Sequence, residues 1–244
     1  ARDRYALILD AGGDPERELD LARRLRDQRV DGLIVQPLDP SARLWAELGE
    51  TLPVVSIGDS LHGGRAKGEV VFDNRRGVTL ALEHLHGLGH RRVAVLTSTR
   101  ASTPDRPADV YVHAEAARLG VEVLVVTAPQ ALDAATEVAC EVLSADPRPT
   151  ALFCFSDSIA YGVYAATRQL GLAVPGDVSV CGYDSHPMSA LLTPPLTTVD
   201  WDIDGIVHAA VRVVVGAIEG KSRRKRVVRE PTLRRRASTG PYGA

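Results

Sequence analysis

Four aspartates in this chain stand where a strand-like apolar run ends, which in an α/β protein is where a carboxylate meets ligands. Asp157, in FCFSDSIAYG, lies where an apolar strand meets a helix, so its oxygens would accept hydrogen bonds from ligand hydroxyls. An N-cap is the plainer reading for that junction, but Ser156 fills the same role and leaves Asp157 free. Phe72 and Asp73, in VVFDNRRG, place an apolar ring face beside a carboxylate. Sugars use that combination, because their C–H faces stack on aromatics while their hydroxyls need partners. The alternative there is that Asp73 or Asn74 caps the helix beginning near Arg75. Asp184 follows VSVCGY at the carboxyl end of a short strand, as Asp10 follows an earlier apolar run, and a turn aspartate is a sufficient explanation for either. Arg106, in STPDRPADVY, offers a planar fork of donors suited to vicinal hydroxyls or a carboxylate, or else pairs with Asp109 at the surface.

Catalytic and cofactor chemistry finds little support. The GxGxxG fingerprint and the GxxxxGK[ST] phosphate loop are both missing, and GLGH at 87–90 lacks the third glycine and precedes a strand. His84, His86 and His90 in HLHGLGH do not fall on one face with a carboxylate partner, so a metal site is not expected, and His90 reads as a cation ending a helix. No Ser/His/Asp set has a recognisable elbow. The chain is therefore read as a non-enzyme with no cofactor and no metal. Cys140, Cys154 and Cys181 sit in apolar contexts and read as small buried hydrophobes. The basic run KSRRKRVVREPTLRRR, residues 221–236, has Val227, Val228 and Leu233 interleaved in a strand-like pattern, so a solvated sheet edge is favoured over a phosphate-contacting patch.

The elements that must position these residues alternate. Strands are expected near 5–9, 32–36, 53–57, 92–97, 121–127, 150–155 and 178–182, with helices near 15–29, 41–50, 75–88, 108–119, 132–145, 158–171 and 203–219. TPPLTTV, residues 193–199, has prolines that bar helix before another short β-branched strand. Alternation of this kind implies α/β architecture, parallel sheets with helices on both faces. The 244 residues, 45% hydrophobic and 25% charged with a formal net charge of -2, fit a globular protein with one large or two smaller cores. No apolar run approaches the roughly 20 residues of a spanning helix. ARDRYALILDAGG lacks the features of a secretory signal, and the chain as given is read as cytoplasmic.

The segment VPGDVSVCGYD at 174–184, followed by TPPLTTV, resembles the effector-binding domain of the LacI/GalR family of bacterial transcription regulators. GGDPERE (12–18), LRDQRVDGLIV (25–35), VFDNRRG (71–77), HLHGLGHRRVAVL (84–96), PTALFCFSDSIAYGV (149–163) and RRRASTGP (234–241) stand in the family's order over nearly the whole chain. The resemblance implies two Rossmann-like subdomains of the periplasmic binding protein type I kind, joined by three crossover segments around a ligand cleft. Carried onto this sequence, the crossings fall near 99–103, 184–200 and 220–226, giving an N-terminal subdomain of 1–100 with 186–222 and a C-terminal one of 101–185 with 223–244. It also implies ligand contact by Asp157 and Arg106, by Gln36 at the end of DGLIV and by Trp201 after LTTVD, where a ring would stack on a pyranose or simply pack. Gln130 in the TAPQAL loop is a further candidate. The family's aromatic and glycine after the arginine are replaced here by Asp109 and Val110, and its usual asparagine by Ser156.

By the same resemblance, this chain is the sensing domain of a regulator in which a sugar-like effector bound between the lobes switches the DNA affinity of a homodimer. DNA would be contacted only through an upstream helix-turn-helix absent from this chain, and no membrane is involved. A sugar-binding receptor of an ABC transport system shares the expected fold, but it need not carry the VPGDVSVCGYD segment or the RRRASTGP tail. Family members also place a strand and a helix before the segment matching Arg4–Leu9, so a truncated sequence is expected, with unpaired groups where that central strand would lie.

Overall fold

The computed structural model describes residues 5–63, 65–100, 103–221 and 224–243. In chain order the elements are α1 (Pro15–Asp27), β1 (Leu33–Val35), α2 (Arg43–Thr51), β2 (Val54–Gly58), β3 (Gly68–Phe72), α3 (Asn74–Gly87), β4 (Arg92–Ser98), α4 (Val112–Leu119), β5 (Glu122–Ala128), α5 (Leu132–Leu143), β6 (Ala151–Cys154), α6 (Asp157–Leu170), β7 (Ser179–Tyr183), β8 (Thr197–Asp200), α7 (Ile203–Ile218), β9 (Lys225–Arg229) and β10 (Thr232–Arg234). The expected α/β alternation and parallel sheets are present. They form two compact units, the first within residues 1–71, 102–105 and 204–228, the second within 72–101, 106–203 and 229–244.

The first unit carries a four-stranded sheet of order β1-β2-β3-β9, with β1, β2 and β3 parallel. Local signals set its helices. Asp14 caps α1 by accepting from the Glu16 and Arg17 amides at 2.9 and 3.3 Å, Pro15 opens the first turn, and acidic and basic residues sit at the ends the helix dipole favours. Ala22 of α1 joins Leu44, Trp45 and Leu48 of α2 over Val54 of β2 in one apolar cluster. α7 presses on the same sheet so closely that a Cβ at Gly68 would overlap Val213 Cγ1 and lie 3.0 Å from the Lys225 carbonyl, which is why glycine stands there.

One expected strand is not formed. Tyr5–Leu9 belongs to no ladder and is exposed, with Tyr5 and Ile8 101% and 92% accessible. Apolar patterning alone does not make a strand. Its backbone groups need a neighbour, and β1 pairs among the described residues only with β2.

The second unit holds a six-stranded sheet of order β10-β8-β7-β6-β4-β5, parallel from β8 to β5, with β10 antiparallel at the edge. β6 and β7, buried on both faces, read as continuous apolar runs, as central parallel strands must. Between α5, α6 and this sheet lies the larger core, with Leu96, Leu152, Ile159, Val163, Val180 and Leu196 at its centre.

The unit boundaries differ from those drawn from the resemblance, which kept residues 72–100 in the first subdomain. β4 lies at the heart of the six-stranded sheet, in register with β5 from Arg92 to Ser98 and with β6 from Val93 to Leu96, so the chain has already changed unit by Phe72. Residues 101–102 and 222–223, within two of the anticipated crossings, lie outside the described residues.

Candidate functional site

Beyond β4 the chain runs outward to β5 and then returns to place β6 on the opposite side of β4. The strand order thus reverses between β4 and β6. In open α/β sheets the crevice outside the carboxyl ends of the strands at such a reversal receives ligands. Four of the eight candidates from sequence emerge on this rim: Gln130 after β5, Asp157 after β6, Asp184 after β7 and Trp201 after β8. Gln130 reaches back to β4, its Nε2 donating to Ser98 Oγ at 3.3 Å. Phe72 and Asp73, at the end of β3, belong to the same unit, as does the half-buried Arg106. Gln36 belongs to the first unit, one residue past β1, and is exposed.

Aromatic side chains line part of the rim. Phe72 and Trp201 lie with ring centroids 5.2 Å apart, Trp201 and Tyr183 at 5.3 Å, and Tyr183 and Phe155 at 5.7 Å. All three phenylalanines of a chain only 5% aromatic are in this group, since Phe153 packs edge-on to Phe155 at 5.0 Å. Trp201 and Tyr183 are nearly buried, whereas Phe72 and Phe155 keep part of their surface accessible. The result is an apolar wall with two partly accessible shoulders, suited to a ring with C–H faces. Phe155 and Tyr183 were not singled out from sequence. A signal existed, since each is an aromatic at or just beyond the carboxyl end of its strand, but each reads equally well as core.

Asp73 is the N-cap of α3, accepting from the Arg76 amide at 2.9 Å, while Asn74 is turned to the Arg106 carbonyl, donating from Nδ2 at 2.7 Å. Asp10 accepts from the Gly12 amide at 2.8 Å, the turn role expected of it. Asp184 is different. It keeps solvent access but holds φ at 109°, and Ser185 follows with φ 56°, both left-handed conformations for residues with a side chain. Strain of this kind is held only when surrounding structure over-determines it, and it gathers at ligand sites.

Asp157 itself is 1% exposed. Ser156 caps α6, accepting from the Ser158 amide at 3.0 Å, as expected. Asp157 takes hydrogen bonds on both carboxylate oxygens from within its own unit: Ser189 Oγ at 2.6 Å and the His186 amide at 2.8 Å on Oδ2, and Thr198 Oγ1 at 2.6 Å on Oδ1. Burial raises its pKa, and these donors oppose that shift.

The histidines of HLHGLGH take structural positions. His84 bonds Thr239 Oγ1 at 2.8 Å, while His90, 2% exposed, contacts Thr150 Oγ1, Ser179 Oγ and the Gly240 carbonyl at 2.9, 3.0 and 3.1 Å. Burial lowers the pKa of His90, so it is a neutral linker inside the unit and not the helix-ending cation anticipated for it. Among the described residues no three His, Cys, Asp or Glu side chains are grouped to hold a metal ion. In the basic run, Arg226 pairs with Glu69, Arg229 with Asp202 and Arg234 with Asp200, charges of strand edges as the interleaved valines imply.

Residues 82–239 match the periplasmic binding protein-like domain model. The HTH-type transcriptional repressor PurR of Vibrio atlanticus (strain LGP32) is 30% identical over 232 residues, spanning 93% of this chain and 69% of the relative. The chain belongs to the LacI family of transcriptional regulators. A LacI family regulator from Arthrobacter sp. FB24, solved in complex with lactose, matches at a TM-score of 0.82 with 27% identity over 91% of this chain and 83% of its own. A putative ribose operon repressor from Burkholderia thailandensis matches at 0.78, again 27% identical, over 93% of this chain and 86% of that one. No helix among the described residues is long and apolar enough to cross a membrane.

Proposed function

We propose that this chain is the effector-sensing domain of a LacI-type repressor and that it binds a sugar or polyol at the carboxyl rim of the six-stranded sheet. The observation that carries this is the wall of Phe72, Trp201, Tyr183 and Phe155 on the same rim as the strained Asp184. Apolar ring faces stack on the wall. Hydroxyls find acceptors in Asp184 and the uncapped face of Asp73, and donors in Arg106 and Gln130. A lining of carboxylates with a single arginine suits a neutral ligand better than an anion. The relatives solved with lactose, or named for a ribose operon, support a sugar.

In this reading the protein is not an enzyme, and no cofactor takes part. It acts in the cytoplasm as a homodimer whose helix-turn-helix, outside this chain, contacts DNA. Effector changes DNA affinity only through its differential affinity for the DNA-binding and released states. The test is a thermal-shift comparison with D-ribose, D-galactose and lactose. At [L] of about 100 Kd a ligand that binds only the folded state adds about 2.7 kcal/mol, which raises the melting temperature by several degrees. No shift with any of the three, at concentrations up to 10 mM, contradicts the reading.

A further inference from the structure

We infer that Asp157 is a positioning residue: its buried carboxylate clamps the turn Asp184–Ser189 and so fixes where Asp184 stands. This rests on the reading of Asp184 as a ligand group. Two segments converge on Asp157, which opens α6. The His186 amide and Ser189 Oγ come from the turn after β7, and Thr198 Oγ1 from β8. Thr198 Oγ1 in turn accepts from the Ser185 amide at 3.3 Å, and the Asp184 amide donates to the Val199 carbonyl at 2.9 Å. Every residue from Asp184 to His186 is therefore tied, directly or through Thr198, to Asp157 or β8.

The turn needs such a tie. Two consecutive non-glycine residues at positive φ are strained, and an exposed turn left to itself relaxes. Charged hydrogen bonds to a desolvated carboxylate are the strong kind, and the donors come from residues up to 41 positions away, so they fix the turn against the sheet and not merely against itself. The sequence around the carboxylate fits this role. A Cβ at Gly182 would overlap Asp157 Oδ1, so a glycine in β7 is what admits the carboxylate between the strand and the turn. With both oxygens engaged and 1% exposure, Asp157 has no acceptor turned to a ligand, whereas Asp184 keeps its solvent access.

The test compares wild type with Asp157→Asn and, as a milder lesion that keeps the carboxylate, Ser189→Ala. Amide exchange of residues 185–191 is followed by mass spectrometry, together with affinity for whichever of D-ribose, D-galactose and lactose binds wild type most tightly. The expected result is at least tenfold faster exchange of the turn in Asp157→Asn, a smaller increase in Ser189→Ala, and affinity lost in the same order. Should Asp157→Asn fail to fold, Ser189→Ala and the wild type decide the matter alone. Unchanged exchange in the variants overturns the clamp. Affinity lost with exchange unchanged makes Asp157 a direct contact, and faster exchange with intact affinity separates the turn from binding; both overturn the positioning role. Failure of wild type to bind any of the three sugars defeats the functional reading, while the exchange result still decides whether Asp157 holds the turn.

Discussion

Replacing Gly182 by alanine puts the packing around Asp157 to a quantitative test. The added methyl would overlap Asp157 Oδ1 and lie 2.9 Å from Leu196 Cδ2, the latter in the fully buried core. Neither neighbour yields easily. Leu196 is enclosed, and Asp157 is held by Ser189, Thr198 and the His186 amide at 2.6–2.8 Å. Moving the carboxylate aside sacrifices at least the Thr198 bond and one on Oδ2, and hydrogen bonds to a charged group contribute about 1.5–3 kcal/mol each. The expected destabilisation is thus about 3–6 kcal/mol, a large share of the 5–15 kcal/mol typical of a folded domain. Gly176→Ala is the control. Its Cβ meets Ala173 Cβ at an ordinary 3.4 Å, so a change within about 0.5 kcal/mol is expected there. Urea unfolding followed by far-ultraviolet circular dichroism measures both. A midpoint for Gly182→Ala matching that of Gly176→Ala would refute the close approach on which this reasoning depends.

The C-terminal tail offers a second test. Ser238 Oγ is fully buried, donating to the Val180 carbonyl at 2.6 Å and accepting from the Thr197 amide at 2.7 Å, so Ser238→Ala orphans two backbone groups and lowers stability by about 2–4 kcal/mol in the same assay. A third concerns acid. Burial, then the nearby Arg235 charge, lowers His84 to about 4, and His90 is lowered too, chiefly by burial. The unfolded chain takes up protons near 6.5 that the folded chain refuses until about 4. Stability is therefore full above about 6.5 and falls as pH drops toward 4, by about 1–2 kcal/mol at pH 5 for the partly exposed His84. His84→Gln reduces the drop in melting temperature between pH 7.5 and 5; an equal drop in wild type and variant would contradict the assignment.

Much of the fold was legible because its signals are local. Every expected helix is present, since apolar periodicity and end residues such as Asp14 and Gly171 act within a few positions. Tyr5–Leu9 fails as a strand because strandedness depends on a distant partner. The unit boundary near Phe72 was misplaced for the same reason, because the neighbours of β4 are recorded in pairing and not in its own residues. The rim position of Asp184 and Trp201 could be read from strand ends. The engagement of Asp157 could not, because its partners Ser189 and Thr198 lie 32 and 41 residues away and nothing in FCFSDSIAYG announces them. Tyr183 was hidden by its company: inside VSVCGY it looks like one more buried strand residue, and only the fold sets it against Trp201.

The most direct test of the central claim, that the rim of the six-stranded sheet is an effector site, is calorimetric titration of the sugar giving the largest thermal shift into wild type and into Asp184→Asn. Asp184 is exposed, so its substitution should leave the circular dichroism unchanged. The account predicts one-site binding to wild type and affinity at least tenfold weaker in the variant, the loss of about 1.4 kcal/mol or more that removing one good acceptor entails. Equal affinity in the two proteins would place the effector elsewhere and contradict the account.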